Sequence, residues 1–236
     1  MKVSVILAAG EGTRMKSKKP VDEVKVIIPA FPGTNSEYDT ARAFERAGAK
    51  AEVLVFRNKD EKSLEKSIEE FAEKISNSQI LAIPGGFSLG DEPGGSGKFI
   101  ANVIRSEKVK LAIEKLLEDN DGLILGICNG FQALVKTGLL PYGKIKDLEE
   151  DDPTLTYNTC TRHIARVVDT VVMSNNSPWL AKLDEGKTYK VPISHGEGRF
   201  IASEEKIKDI LDKEQVAMCY ADAPNGSLLN VEALMS

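Results

Sequence analysis

The chain has 236 residues, 42% of them hydrophobic and 28% charged, with 31 Lys and Arg against 36 Asp and Glu for a net charge of −5. That balance is ordinary for a globular protein and excludes a disordered, collagenous or disulfide-knotted chain, while the acidic surplus disfavours non-specific binding to nucleic acid or anionic membranes. At roughly 100–200 residues per domain, the length fits one large domain or two small ones, with a core that needs no metal or disulfide.

Residues 1–20 carry +4, which leaves −9 on the rest and marks the opening segment as different in origin. Val3–Ala8 reads as a buried strand. No apolar run approaches the ~20 residues of a membrane span. The run from Val3 to Ala9 is too short for a signal sequence and enters Gly-Glu-Gly-Thr-Arg rather than a cleavage site. A boundary falls near Pro20–Glu23. Beyond it, Val24–Pro29 reads as a strand and Glu37–Gly48 as a helix with Ser36 as N-cap. Ala51–Phe56 is a strand, and Glu61–Ile75 is an amphipathic helix through Leu64, Ile68, Phe71 and Ile75. Strand Ile80–Pro84 runs into Gly85-Gly86. Helix Phe99–Leu117, strand Gly122–Ile127 and helix Asn129–Thr137 follow. Val- and Ile-rich runs alternating with helical patterns predict an α/β fold with a mostly parallel sheet flanked by helices. After Pro141 the texture changes. An acidic loop over Lys146–Pro153 precedes short β-rich stretches at Thr154–Tyr157, His163–Met173, Lys190–Ser194 and Gly198–Ala202. A helix at Glu204–Leu211 and strands at Gln215–Tyr220 and Ser227–Leu234 complete the chain.

Three cysteines, Cys128, Cys160 and Cys219, form an odd set without C-x-x-C, which fits neither a disulfide framework nor a zinc site and predicts a reducing, cytoplasmic setting. The strongest chemical signal is the strand 123–127 ending in Gly126-Ile127-Cys128-Asn129-Gly130, with a helix beginning at once. Such a strand-to-helix elbow presents a nucleophile at the carboxyl end of a sheet, and a thiol at a helix N-terminus is favoured as thiolate. The competing reading is a buried cysteine serving as a small hydrophobe. Pro84-Gly85-Gly86-Phe87-Ser88 ends a second strand. Parallel strands bring their carboxyl ends to one edge, so the N–H groups of Gly86, Phe87 and Asn129 can form an oxyanion hole beside the thiol. Gly94-Gly95-Ser96-Gly97-Lys98 is not a P-loop, because that motif needs Gly at 92 and Ser or Thr at 99, where this chain has Glu92 and Phe99.

Together the two glycine-rich segments resemble class I glutamine amidotransferases, whose domain is flavodoxin-like. Val26–Asn35, Gly86–Asp91, Ser177-Pro178-Trp179-Leu180, Ser194-His195-Gly196-Glu197-Gly198-Arg199-Phe200 and Asn225-Gly226-Ser227 are similar to one branch of that family, the glutaminase domain of phosphoribosylformylglycinamidine synthase. The resemblance covers residues 21–235. It implies that Cys128 attacks glutamine, that Gly85, Gly86, Phe87, Asn129 and Gln132 hold the oxyanion and substrate, and that no cofactor or metal is needed in this chain. It also implies a synthetase partner, domain or subunit, that binds ATP and formylglycinamide ribonucleotide and uses the released ammonia in purine biosynthesis.

The match departs from the family in two places. The family's C-terminal His-x-Glu does not appear, so the resemblance implies a domain incomplete at its C-terminus and impaired in turnover. His195 and Glu197 form another His-x-Glu and stand as candidate base and partner. The alternative is a catalytically silent glutamine-binding or scaffold module. Val5–Ser17 is similar to the start of sugar-phosphate nucleotidyltransferases, which makes nucleotidyl transfer through residues 1–20 a third reading and a basic N-terminal arm its bland counterpart.

Overall fold

The computed structural model describes residues 20–90 and 96–236, which fall into two compact units, 20–134 and 135–236. The expected strand at Val3–Ala8 and the basic segment 1–19 lie outside the described residues.

The first unit alternates β1 (Lys25–Ala30), α1 (Glu37–Arg46), β2 (Lys50–Val55), α2 (Glu61–Ser76), β3 (Ile80–Ile83), α3 (Lys98–Arg105), α4 (Glu107–Glu118), β4 (Leu123–Gly126) and the start of α5 (Asn129–Thr137). The strands pair in parallel in the order β2-β1-β3-β4. β1 is buried from Val26 to Ala30 and β3 at all four residues, as expected where helices cover both faces of a parallel sheet. α2 buries Phe71 and Ile75, and α4 buries Val109, Ala112, Ile113 and Leu116. Phe31 meets Phe56 with ring centroids 4.4 Å apart, and Phe99 edge-on at 5.5 Å. This aromatic plug fixes the chain as it leaves β1, just before the loop 32–35.

Three elements differ from expectation for local reasons. The helix expected over Phe99–Leu117 is two helices, because Ser106 adopts extended backbone (φ −59°, ψ 138°). Its hydroxyl donates to Val103 O at 2.6 Å and its carbonyl receives Lys110 N–H at 2.8 Å, closing α3 and opening α4. Ser36 precedes α1 as expected, but in left-handed backbone (φ 68°) and with no side-chain capping bond. The strand expected over Ser227–Leu234 shortens to β10 (Val231–Leu234), since Leu229 and Asn230 take φ of 51° and 57°, which no strand accommodates.

In the second unit a short helical turn, α6 (Leu139–Tyr142), leads to β5 (Thr154–Thr156), β6 (Ile164–Val172), β7 (Thr188–His195), β8 (Arg199–Ile201), α7 (Glu204–Asp212), β9 (Val216–Tyr220) and β10. An antiparallel sheet runs β10-β9-β6-β7, and β5 pairs with β8. Asp152 ties the unit together. Its side chain is 1% exposed and contacts Lys146 Nζ at 2.9 Å and Lys206 Nζ at 3.3 Å. It also accepts the Glu149 N–H at 2.8 Å and the Tyr142 hydroxyl. Burial pushes this carboxyl group up, but the Tyr142 hydroxyl, the Glu149 amide and the two lysines outweigh it, so it titrates below its ordinary 3.8. Asp152→Ala is expected to strip two lysines of their shared anion and cost about 2–4 kcal/mol in denaturant unfolding. A folded value below the unfolded one means that this stabilisation is full above about pH 4 and drains away as pH falls further. Acid unfolding should therefore lose this component in the Asp152→Ala protein. Glu149 and Asp151 lie close to Asp152, yet both Asp152 oxygens already hold donors, so the cluster is an ion-pair knot.

Among the described residues, no helix is long and apolar enough to cross a membrane.

Candidate active site

β3 and β4 deliver two loops to the same sheet edge. β4 ends at Gly126, Ile127 N–H still bonds Ile83 O at 3.0 Å, and the chain turns sharply into α5. The turn is made at Cys128, which adopts φ of 54° and is exposed to solvent. A β-carbon in left-handed backbone costs about 1–2 kcal/mol, so this conformation is held by its surroundings. Gln132 N–H donates to Cys128 O at 3.0 Å, placing the thiol-bearing residue at the head of the helix. The buried-hydrophobe reading of Cys128 is thereby set aside.

The second loop lies against the thiol. A β-carbon added to Gly85 would stand 3.1 Å from Cys128 Cβ and 3.7 Å from Sγ, so bare backbone faces the sulfur. The loop after β1 braces this turn from the other side. Asn35 N–H bonds Gly85 O at 2.8 Å, Phe87 N–H bonds Gly33 O at 2.9 Å, and Leu89 N–H bonds Pro32 O at 2.8 Å. Thr34 and Gly86 form an antiparallel bridge between those bonds, so the Gly86 N–H points away from the brace. Among the described residues it meets no acceptor. At φ of 132°, Gly86 occupies backbone that side chains rarely adopt. Here the structure departs from expectation: the Phe87 N–H is bonded to Gly33 O, so of the two N–H groups expected to serve in this turn only that of Gly86 is left open.

Asn129 is 1% exposed and joins the two loops. Its Oδ1 accepts Ser88 Oγ at 2.7 Å and Ser88 N–H at 3.3 Å, while its Nδ2 donates to Gln132 Oε1 at 3.0 Å. Ser88 was legible only as part of a glycine-rich turn, and its partner lies 41 residues away. Ser88→Ala should leave the protein folded but about 1 kcal/mol less stable, and should slow alkylation of Cys128 by a glutamine-like electrophile about five- to tenfold as the loop loses register. Denaturant unfolding and labelling rates read the two effects separately.

The structure thus gathers Cys128, Gly85, Gly86, Phe87, Asn129 and Gln132 within the first unit. His195 and Glu197 belong to the second, at the turn between β7 and β8. The His195 ring packs on Gly198, where a β-carbon would lie 2.6 Å from it. Its Nδ1 meets Asn158 Oδ1 at 3.1 Å, so the ring is oriented by Asn158 and the expected His195–Glu197 pairing is not formed. Its Nε2 is buried with no partner among the described residues. Burial, and secondarily the charge of His163, hold the imidazole below its ordinary 6.5, so it stays neutral at neutral pH. Asn225 Nδ2 donates to Gly198 O at 2.8 Å, and the Ser227 hydroxyl accepts Phe200 N–H at 3.1 Å, so the Asn225-Gly226-Ser227 motif fastens the same turn.

Residues 23–236 match the family model described as the CobB/CobQ-like glutamine amidotransferase domain. The chain is 37% identical to the Treponema denticola phosphoribosylformylglycinamidine synthase subunit PurQ, over 89% of this chain and 82% of that protein. It is 33% identical to the subunit of the same name from Sulfurimonas denitrificans, over 89% and 84%. The solved structure of PurLQS from Thermotoga maritima superposes with a TM-score of 0.65 at 25% identity, over 90% of this chain and 84% of that one.

Proposed function

Because the chain belongs to the CobB/CobQ-like glutamine amidotransferase family, we propose that Cys128 hydrolyses glutamine and that the ammonia serves a synthetase subunit making formylglycinamidine ribonucleotide in cytoplasmic purine biosynthesis. The observation that carries this reading is the strained, exposed Cys128 at the β4–α5 elbow, facing the bare backbone of Gly85. The thiolate attacks the carboxamide carbon and the carbonyl oxygen takes up negative charge. The amide hydrogens of Gly86 and Asn129 supply the compensating dipoles. Collapse of the tetrahedral species breaks the C–N bond, the nitrogen leaves as ammonia carrying the proton that the thiol gave up, and a γ-glutamyl thioester remains. Water then adds to the thioester, releasing glutamate and restoring the thiol. Gln132, held through Asn129, lines the substrate side. The names of the similar PurQ subunits support the ribonucleotide assignment.

The test is direct. The full chain is incubated with L-glutamine, alone and with a PurL-type synthetase, and glutamate, ammonia and ATP-dependent product are measured. Glutamate release and stoichiometric labelling of Cys128 by a glutamine-like electrophile are expected. Glutamine binding without labelling or release would instead favour the silent module.

A further inference from the structure

We propose that the outer groove between α2 and α4 is a homodimer contact, on which a second copy of this chain docks about a two-fold axis parallel to the two helices. The glutamate ridge of each α2 then lies over the lysine ridge of the other copy's α4, and each Leu111 lies over the other copy's Ala72. The groove belongs wholly to the first unit, and the inference does not depend on the chemistry assigned to Cys128.

The groove has a volume of about 430 Å³ and helical stripes for walls. α2 contributes Glu69, Ala72 and Glu73, and α4 contributes Lys108, Leu111 and Lys115, at the spacing that aligns side chains on one helix face. Leu111 is 59% exposed, on a helix that buries Val109, Ile113 and Leu116 on its inner side. The charges are segregated by wall. Glu65, Glu69 and Glu73 recur every fourth residue along α2, all exposed, and like charges at that spacing destabilise a lone helix. Lys108 Nζ answers Glu69 at 2.5 Å, whereas among the described residues neither Glu73 nor Lys115 forms an ion pair. A helix face meant for water mixes signs along its length; here each wall presents one sign. Lys108 opens α4 beside Glu69, and Asn120 Nδ2, just past the end of α4, donates to Ser76 O at 3.2 Å. The two helices therefore run the same way, with Leu111 about level with Ala72. A two-fold axis across the groove would lay α2 on α2, glutamate on glutamate. An axis along the groove lays α2 on the other copy's α4, glutamate on lysine, and every contact is made twice. That axis also preserves the levels, so each Leu111 comes down on the other copy's Ala72, whose small side chain leaves room for it. Charge and size thus select the same axis.

Sedimentation equilibrium of the full chain, from about 1 to about 100 μM, is expected to show a reversible monomer–dimer equilibrium that weakens as salt is raised. Leu111→Asp should weaken dimerisation at least about a hundredfold. The double variant Glu69→Lys, Glu73→Lys should be monomeric by itself, and so should Lys108→Glu, Lys115→Glu, because each gives both walls one sign. Mixed together, these two variants should form a heterodimer, detected by mass with one of them tagged, since each α2 then meets the opposite charge on the other chain's α4. Every side chain changed is exposed, so circular dichroism and denaturant unfolding of each variant at low concentration should stay close to the parental chain. A parental chain that stays monomeric throughout, a dimer indifferent to salt or intact in Leu111→Asp, or a mixture of the two charge variants that fails to associate would overturn the proposal. A monomeric parental chain whose binding to a PurL-type synthetase is weakened by Leu111→Asp would assign the groove to that subunit and refute the homodimer. None of these readouts involves glutamine, so they stand apart from any failure of the functional reading.

Discussion

Cys128→Ala is expected to abolish covalent capture of a glutamine-like electrophile and to lower glutamate release at least about 10⁴-fold, the scale on which loss of a nucleophile acts when the surrounding donors remain. Binding of glutamine should persist, because Gly86, Asn129 and Gln132 are untouched. The same position offers a second reading by stability. Cys128 has φ of 54°, where a β-carbon is crowded by its own backbone. Cys128→Gly should be as inactive as Cys128→Ala yet about 1 kcal/mol more stable, since it alone relieves the crowding. Equal stabilities for the two variants would mean that the elbow is unstrained. Release of glutamate at the parental rate by Cys128→Ala would remove the thiol from the reaction.

Gly130→Ala is expected to have the largest effect on stability. A β-carbon at this position would lie 2.1 Å from Ile83 O and 2.8 Å from Ile83 C. Those are backbone atoms of β3, whose carbonyl also holds Ile127 N–H, so the obstruction cannot be relieved by turning a side chain. α5 must lift away from the sheet. We expect a loss of about 3 kcal/mol or more in denaturant unfolding. A shift of even 1 Å between the thiol and the Gly85-Gly86 turn would further slow turnover about a hundredfold in the population that remains folded. A Gly130→Ala protein with parental stability and activity would show that α5 is not pressed on β3 as described.

The parallel half of the fold was readable because the Val- and Ile-rich runs of β1 and β3 and the amphipathic spacing of α2 are local patterns with a single physical meaning. The elbow was readable for the same reason: a strand, two glycines around Cys128 and a helix follow one another without interruption. The break at Ser106 was not, since one serine within a helical pattern carries no signal until its backbone turns. The site's cross-bracing was hidden more deeply. Ser88 and Asn129 are 41 residues apart, and Asn158 and His195 are 37 apart. Nothing in the identity of an asparagine announces which distant carbonyl it will face. The donor at Phe87 was misassigned on the same account, because only the pairing with Gly33 reveals that its hydrogen is already spoken for. The His-x-Glu spacing at 195–197 looked like a catalytic pair, whereas the ring in fact leans on an asparagine from a separate loop.

The Asn129 carboxamide fastens the turn after β3 at one end and the first turn of α5 at the other. Any hinge that closed this turn over a bound molecule while leaving the helix behind would have to tear a buried fastening. The cradle and the sulfur therefore travel as one rigid piece. Substrate entry is left to the elements around them, and the distance over which the bond is made is set at folding rather than at capture.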